Sequence, residues 1–217
     1  MMGVKFSAVG NHELDKGLDE LMRTQKGGCH SKDDYLGNSS FEGAHFQFLA
    51  ANLVNESTNA TIFPAYNITY VQGVPIGFIG IALENTPTTV SPSTVKGLKF
   101  LNETETINKY VRKLQGMGVK IIVVLIHDGG YQDGLYNKSL NMSGSILDVV
   151  KHTDRAVDVF ITVHTHQVYN VLIDGRIVTE AYAQGNCIHR HRSSDQQRDS
   201  CCDREKGQKH YSVQRCS

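Results

Sequence analysis

No run of apolar residues in this 217-residue chain approaches the length that crosses a bilayer. A spanning helix needs about 20 consecutive apolar residues, and the longest stretch here, VKIIVVLI at residues 119–126, has the length of a strand. Charge of one sign is lacking too. Lys and Arg number 22, Asp and Glu 22, and the formal net charge is zero. That leaves no basic excess of the kind that recruits nucleic acid or an anionic membrane surface. The opening MMGVKF carries no apolar core of a signal peptide. Cysteine is scarce until late: Cys29 alone precedes residue 185. The four that follow, Cys187, Cys201, Cys202 and Cys216, fit neither paired Cys-x-x-Cys nor Cys₂His₂ zinc spacing.

The apolar fraction of 40% and charged fraction of 20% are those of an ordinary soluble domain, and the length suits one such domain. VKFSAVG at residues 4–10 reads as a short strand, and the Leu18, Leu21, Met22 spacing predicts a helix that Gly27 and Gly28 end. HFQFLAANL predicts a second strand, and ITYVQGVPIGFIGIAL a hairpin turning near Gln72-Gly73. NETETINKYVRKLQGMG places acids early and bases late, which suits a helix dipole. It leads into VKIIVVLIHDGG, whose β-branched run is typical of a strand covered on both faces. SGSILDVVKHT predicts a short helix, VDVFITVHTH another buried strand, and YNVLIDGRIVTEA a hairpin turning at Asp174-Gly175. This alternation predicts the α/β class, with mixed β-sheets flanked by helices.

The chain divides by composition at residue 184. Residues 185–217 contain only Ile188, Tyr211 and Val213 as apolar residues other than cysteine, so residues 1–184 are expected to form the domain and 185–217 a disordered or out-of-frame tail. One codon set for CIHRHRSSDQ, read from its second base, encodes AFTDIDLVI, an alternating strand.

Asn-x-Ser/Thr sequons occur at Asn38, Asn55, Asn59, Asn67, Asn102, Asn137 and Asn141. With 13 Asn, 15 Ser and 14 Thr in the chain, random placement gives about 1.7 such sequons. An excess of this size predicts passage through a secretory pathway, and so an extracellular or cell-surface location.

Three motifs fall at the ends of predicted strands: GNHE at residues 10–13, IHDGG at 126–130 and HTH at 164–166. In open α/β sheets the carboxyl ends of the strands line the ligand crevice. Asn after a strand also suits an ordinary turn, because it tolerates a left-handed backbone. His164 and His166, two apart in an extended segment, would face one side together. Imidazole nitrogens with an amide oxygen suit a divalent ion of the Zn, Mn or Fe kind, which makes Asn11, His127, His164 and His166 candidate metal ligands. His12, adjacent to a ligand, would point to substrate, with Asp15 fixing its tautomer.

Together GNHELDKG, VVLIHDGG and VHTHQVYN resemble the metallophosphoesterase superfamily, and within it the 5′-nucleotidase/2′,3′-cyclic phosphodiesterase/UDP-sugar hydrolase family. LAANL and VPIGFIGIALENTP extend the resemblance over residues 4–181. It implies an αββα sandwich and a two-metal site (Zn, Mn or Mg) that clamps phosphate and activates a water. By this resemblance Asn11, His127 and His164 match ligands of the second metal, and His166 a ligand of the first. His12 and Asp15 match the catalytic His–Asp pair that stabilises the phosphoryl transition state or leaving alcohol. The substrate implied is a nucleotide or nucleotide-like phosphoester.

The family also carries an Asp-x-His strand end and a Gly-Asp upstream of its Asn-His motif. Only ten residues precede Asn11 here, so the resemblance implies an N-terminally truncated slice of a catalytic domain. Its first-metal set is then reduced to His166, and it is weak or inactive alone. Val163 stands where the family commonly has Gly, and its Cβ would crowd the metal loop. The rival expectation is a non-catalytic secreted binding protein on the same fold with a broken metal site.

Overall fold

The computed structural model describes residues 3–29, 41–138 and 140–183. Residues 185–217, with the tail boundary expected there, and the sequon at Asn38 lie outside the described residues. The elements in chain order are β1 (Phe6–Ala8), a 3₁₀ turn (His12–Leu14), α1 (Leu18–Lys26), β2 (Gln47–Leu49) and β3 (Leu53–Asn55). Then come β4 (Tyr66–Val71), β5 (Val74–Ile81), α2 (Thr86–Thr89), β6 (Leu98–Phe100), α3 (Glu103–Gly116) and β7 (Ile121–Ile126). The last are β8 (Tyr131–Asp133), β9 (Leu140–Ser143), α4 (Ser145–His152), β10 (Val159–Thr162), β11 (Val168–Ile173) and β12 (Arg176–Ala181).

A six-stranded sheet in the order β11-β12-β10-β7-β5-β4 forms the centre. Strands β12, β10, β7 and β5 run parallel, and the two edge strands are antiparallel to their neighbours. This is the α/β architecture with a mixed sheet that the alternation predicts. Both hairpins turn where expected: Gln72 and Gly73 have φ of 49° and 82°, and Asp174 and Gly175 have 53° and 78°. Left-handed φ at both central positions matches the right-handed twist of the strands they join.

Each face of the sheet has its own core. On one face Ile107, Val111 and Leu114 of α3 and Ile146 and Val150 of α4 pack on Ile79, Ile122, Val124 and Phe160. Arg176, buried on β12, donates to the carbonyls of Val150 and Thr153 at the end of α4, satisfying groups the helix leaves unpaired. The second core gathers Val9, Leu14 and Leu21 with Phe48, Ala50 and Leu53. Here the parallel pair β1–β2 lies over the sheet, with the Phe6 and Phe78 rings 5.2 Å apart.

The predicted strand HFQFLAANL is two short strands, β2 and β3, with a crossing between them. The cause is close approach at Gly80, where a Cβ would lie 2.3 Å from Leu49 Cβ and from Leu49 O. Beyond the crossing Asn52, fully buried, donates to Ala82 O and accepts from Ala82 N, both at 2.8 Å. The asparagine of LAANL thus ties the crossing segment to the end of β5. Helix α1 begins at Leu18, as the spacing predicts, and Gly17 at φ 87° separates it from the 3₁₀ turn.

Candidate metal centre

Strands β1, β7 and β10 end on the same side, and the three motifs follow them. Gly10 has no Cβ for a packing reason: one would lie 2.4 Å from His127 Cε1 and 2.5 Å from Glu13 Oε2. Its N–H donates to Glu13 Oε2 at 2.8 Å, which folds the corner back on itself. Asn11 follows with φ −67° and ψ −40°, an ordinary right-handed conformation. It is therefore not present to tolerate a left-handed turn. Its side chain is buried at 4% exposure, and Oδ1 lies 2.9 Å from His127 Nε2. His127 continues from β7, and its ring centroid lies 5.2 Å from that of His164.

The HTH segment differs from expectation. Strand β10 ends at Thr162, and His164 and His166 have φ of 83° and 53°. The two imidazoles are therefore presented by a left-handed loop, not by one face of an extended strand. That loop is held by Glu180, a buried carboxylate at the end of β12. Glu180 accepts from Thr165 Oγ1 at 2.7 Å and from Gln167 N at 3.1 Å. Thr165 Oγ1 also lies 2.9 Å from Gly130 O, and Gly130 N donates to the Tyr169 hydroxyl at 3.2 Å. The loops after β7 and β10 are thereby joined. Val163 is 37% exposed and lines the same cleft as His164 and His166.

Asn11, His127 and His164 thus come together. His166 is exposed and lines the same cleft, a space of about 430 Å³ bounded by Ser7, Ala8 and Tyr182 among others. His12 is exposed, with Nδ1 2.9 Å from Asp15 Oδ2. Burial, reinforced by His164, His12 and His166, lowers the pKa of His127 to about 4. Burial lowers that of His164 as well. Neutral imidazoles keep the lone pairs a metal needs.

The donor set is two imidazoles and one amide, which suits one borderline ion. Among the described residues no group of three or more His, Cys, Asp or Glu is gathered to hold a metal. Asp128, next to His127, accepts from Gly129 N at 2.7 Å and Ser145 Oγ at 2.6 Å. Both bonds fall on Oδ1, which ties that oxygen to the loop and to α4. Glu13 and Glu180 escape a motif reading because each contacts backbone rather than ligand. The signal available for Glu180 is an acid inside an otherwise apolar strand, IVTEA.

The mixed sheet and its flanking helices share their fold with a calcineurin-like phosphoesterase of known structure. The calcineurin-like phosphoesterase YfkN from Bacillus subtilis superposes with a TM-score of 0.63 at 21% identity, over 82% of this chain and 54% of that one. The chain is similar to proteins of the metallophosphoesterase/5′-nucleotidase family. It is 36% identical over 187 residues to Endonuclease YhcR of Bacillus subtilis (strain 168), covering 86% of this chain and 15% of that protein. It is 31% identical over 197 residues to Cell wall protein Lmo0130 of Listeria monocytogenes, covering 86% and 25%. A 5′-nucleotidase of Vibrio vulnificus matches at 28% over 146 residues, covering 67% and 23%. The chain therefore spans a quarter or less of the length of these relatives. No protein-family model matches it.

Proposed function

We propose that residues 1–184 are a catalytic-domain segment of a metal-dependent phosphoester hydrolase of the 5′-nucleotidase type, which releases phosphate from nucleotides. The observation that carries this reading is the meeting of Asn11, His127 and His164, with Asn11 Oδ1 2.9 Å from His127 Nε2 and the two rings 5.2 Å apart. Those three residues would hold one divalent ion, and His166 would contribute to a second. An ion bound there supplies a Lewis acid for a phosphate oxygen. The chain's own residues do the rest. Gly10 and Glu13 orient Asn11, and the Glu180-bound loop orients His164. With Nδ1 of His12 engaged by Asp15, Nε2 is the nitrogen that meets a phosphate oxygen or the leaving alcohol.

The relatives' names point to nucleotide and nucleic-acid phosphoesters. The zero net charge favours a small nucleotide over a polymer. The sequon excess and the likeness to a cell wall protein favour an extracellular or cell-surface site of action. Among the described residues no helix is long and apolar enough to cross a membrane.

Because no carboxylate among the described residues joins the gathered donors, the chain on its own is expected to hydrolyse nucleoside monophosphates weakly or not at all. The test pairs phosphate release in Mn or Zn with direct titration of metal into the chain and its His127→Ala variant. Metal uptake that depends on His127 supports the reading, and turnover matching an intact two-metal enzyme refutes the incomplete site. Equal uptake by both proteins, without turnover, favours the second reading: a non-catalytic ligand-binding protein on the same fold.

A further inference from the structure

The two edges of the central sheet are finished differently. Along β11, Tyr136 O accepts from Asn170 N at 2.8 Å and Gln132 Nε2 reaches Val168 O at 3.4 Å, so the segment around β8 covers that edge. At the opposite edge β4 pairs with β5 in unbroken register, Tyr66 opposite Ile79 through Val71 opposite Val74, and with no other described strand. Its sequence, YNITYV, has no charge and no proline, and its ladder has no bulge. These are the usual devices that stop one edge from pairing with another. Tyr70 and Val71 at its end are 69% and 51% exposed. A bare edge of aromatic and β-branched residues is a template for a second copy of itself.

One polar device does lie on this edge: the sequon Asn67-Ile68-Thr69. Tyr66 and Ile68 face the core under α3. Asn67 and Thr69 point to the opposite face with their cross-strand partners Phe78 and Ile76. Other sequons have local roles. Asn55 Oδ1 accepts from Ser57 N at 3.0 Å in a turn, Asn102 Oδ1 accepts from Glu105 N at 3.0 Å as the cap of α3, and Asn141 Nδ2 donates to Asp133 at 3.0 Å. Asn67 stands in a regular ladder, where neither a turn nor a cap calls for asparagine. Among the described sequons it is the one inside the six-stranded sheet.

We propose that Asn67 carries an N-linked glycan that prevents β4 from pairing with the β4 edge of a second copy of this chain. The chemistry is group transfer from a lipid-pyrophosphate-linked oligosaccharide. Asn67 Nδ2 bonds to the anomeric carbon as that carbon's bond to the pyrophosphate oxygen breaks, and one amide proton is lost to the transferring enzyme's base. A bulky hydrated chain at the middle of a six-residue edge excludes a partner strand about 4.8 Å away. The proposal rests on the extracellular part of the function above and not on catalysis.

The test is expression of the full chain through a eukaryotic secretory pathway, peptide mass spectrometry before and after amidase deglycosylation, and light scattering. The expected result is occupancy at Asn67, a monomeric glycoprotein, and a shift to dimer or larger in N67Q at equal concentration. T69A, which removes the sequon and keeps Asn67 itself without adding a charge to the edge, gives the same shift. Adding V71K, a charge on the edge, returns N67Q to monomer. Glycans elsewhere with Asn67 bare, or N67Q and T69A both as monomeric as the glycoprotein, overturn the proposal and leave the extracellular reading standing. A chain with every sequon empty overturns both.

Discussion

Two hollows flank the carboxyl end of β7, one richer in histidine and the other in carboxylates. The cleft of about 430 Å³ beside β1 holds His127, His164 and His166. The pocket of about 380 Å³ between the first turns of α3 and α4 holds Glu84, Glu103, Asp128 and Asp148. Burial acts on both in the same sense, by disfavouring charge, and so moves their pKa values in opposite directions. It brings His127 down to about 4 and Glu103 up to about 7. Two acids of the second pocket, Glu84 and Glu103, bond each other's backbone. Glu103 Oε1 accepts from Glu84 N at 2.8 Å, and Glu84 Oε2 accepts from Glu103 N at 3.3 Å. The comparison teaches that counting ligand-type residues at strand ends does not locate a metal centre. What differs is the neighbour of each buried group: on the histidine side His127 Nε2 meets an amide oxygen, Asn11 Oδ1, at 2.9 Å, and no backbone group.

The largest expected effect is on the pH dependence of stability. His127 titrates near 6.5 in the unfolded chain and near 4 in the folded one, so its contribution is lost as pH falls through that interval. Glu103 titrates near 4.5 unfolded and near 7 folded, so stability present below pH 4.5 is lost as pH rises to 7. Each shift corresponds to roughly 3 kcal/mol. Between pH 4.5 and 6.5 the two slopes oppose, and the parent profile should be nearly flat. Urea unfolding of Glu103→Gln should show stability rising from pH 4 to 6.5, and that of His127→Gln should show it falling from 4.5 to 7. A flat profile in either variant breaks the comparison.

Next in size is Gly10→Ala. The added Cβ collides with His127 and Glu13 on the histidine side, an overpacking expected to cost about 1–3 kcal/mol. The matched control is Gly116→Ala at the end of α3, where a Cβ meets nothing within 4 Å. It should be neutral or stabilising by up to about 1 kcal/mol. Thermal unfolding of the two variants side by side decides it. Equal transitions would mean that the corner relaxes freely and that Gly10 does not fix His127.

Glu180→Gln is expected to cost about 1–2 kcal/mol, because the amide must replace a carboxylate that accepts from both Thr165 and Gln167. The cost should be accompanied by faster amide exchange at Gln167 and not at Glu105 beside the acidic pocket. Uniform exchange across both sites would show that Glu180 stabilises the domain as a whole and not the histidine loop.

The sequence conveys the class of fold and the identity of the gathered donors, because alternating apolar periods and Asn or His after a strand are local signals. The two hairpin turns were legible for the same reason. What was not legible depends on contacts between distant segments. HFQFLAANL has the apolar content of one strand, and only the crossing at Gly80 breaks it in two. The HTH segment reads as extended, yet Glu180, fourteen to sixteen residues away in sequence, holds it in left-handed conformations. Glu13 and Glu180 bind backbone groups, and no side-chain spacing records that.

The smallest expected effect falls on the outer pair. His12 and Asp15 are 74% and 51% exposed, and their hydrogen bond spans three residues at the surface. Exposed pairs of this kind contribute about 0–1 kcal/mol and weaken with salt. Asp15→Asn should therefore change the unfolding free energy by no more than about 0.5 kcal/mol. It should also leave metal uptake by Asn11, His127 and His164 as it was. A loss in phosphate release without either change is what a pair turned toward substrate would give. A loss of metal uptake on the same scale as Gly10→Ala would instead join His12 to the buried set, and the boundary between an inner, packed half of the cluster and an outer, solvated half would disappear.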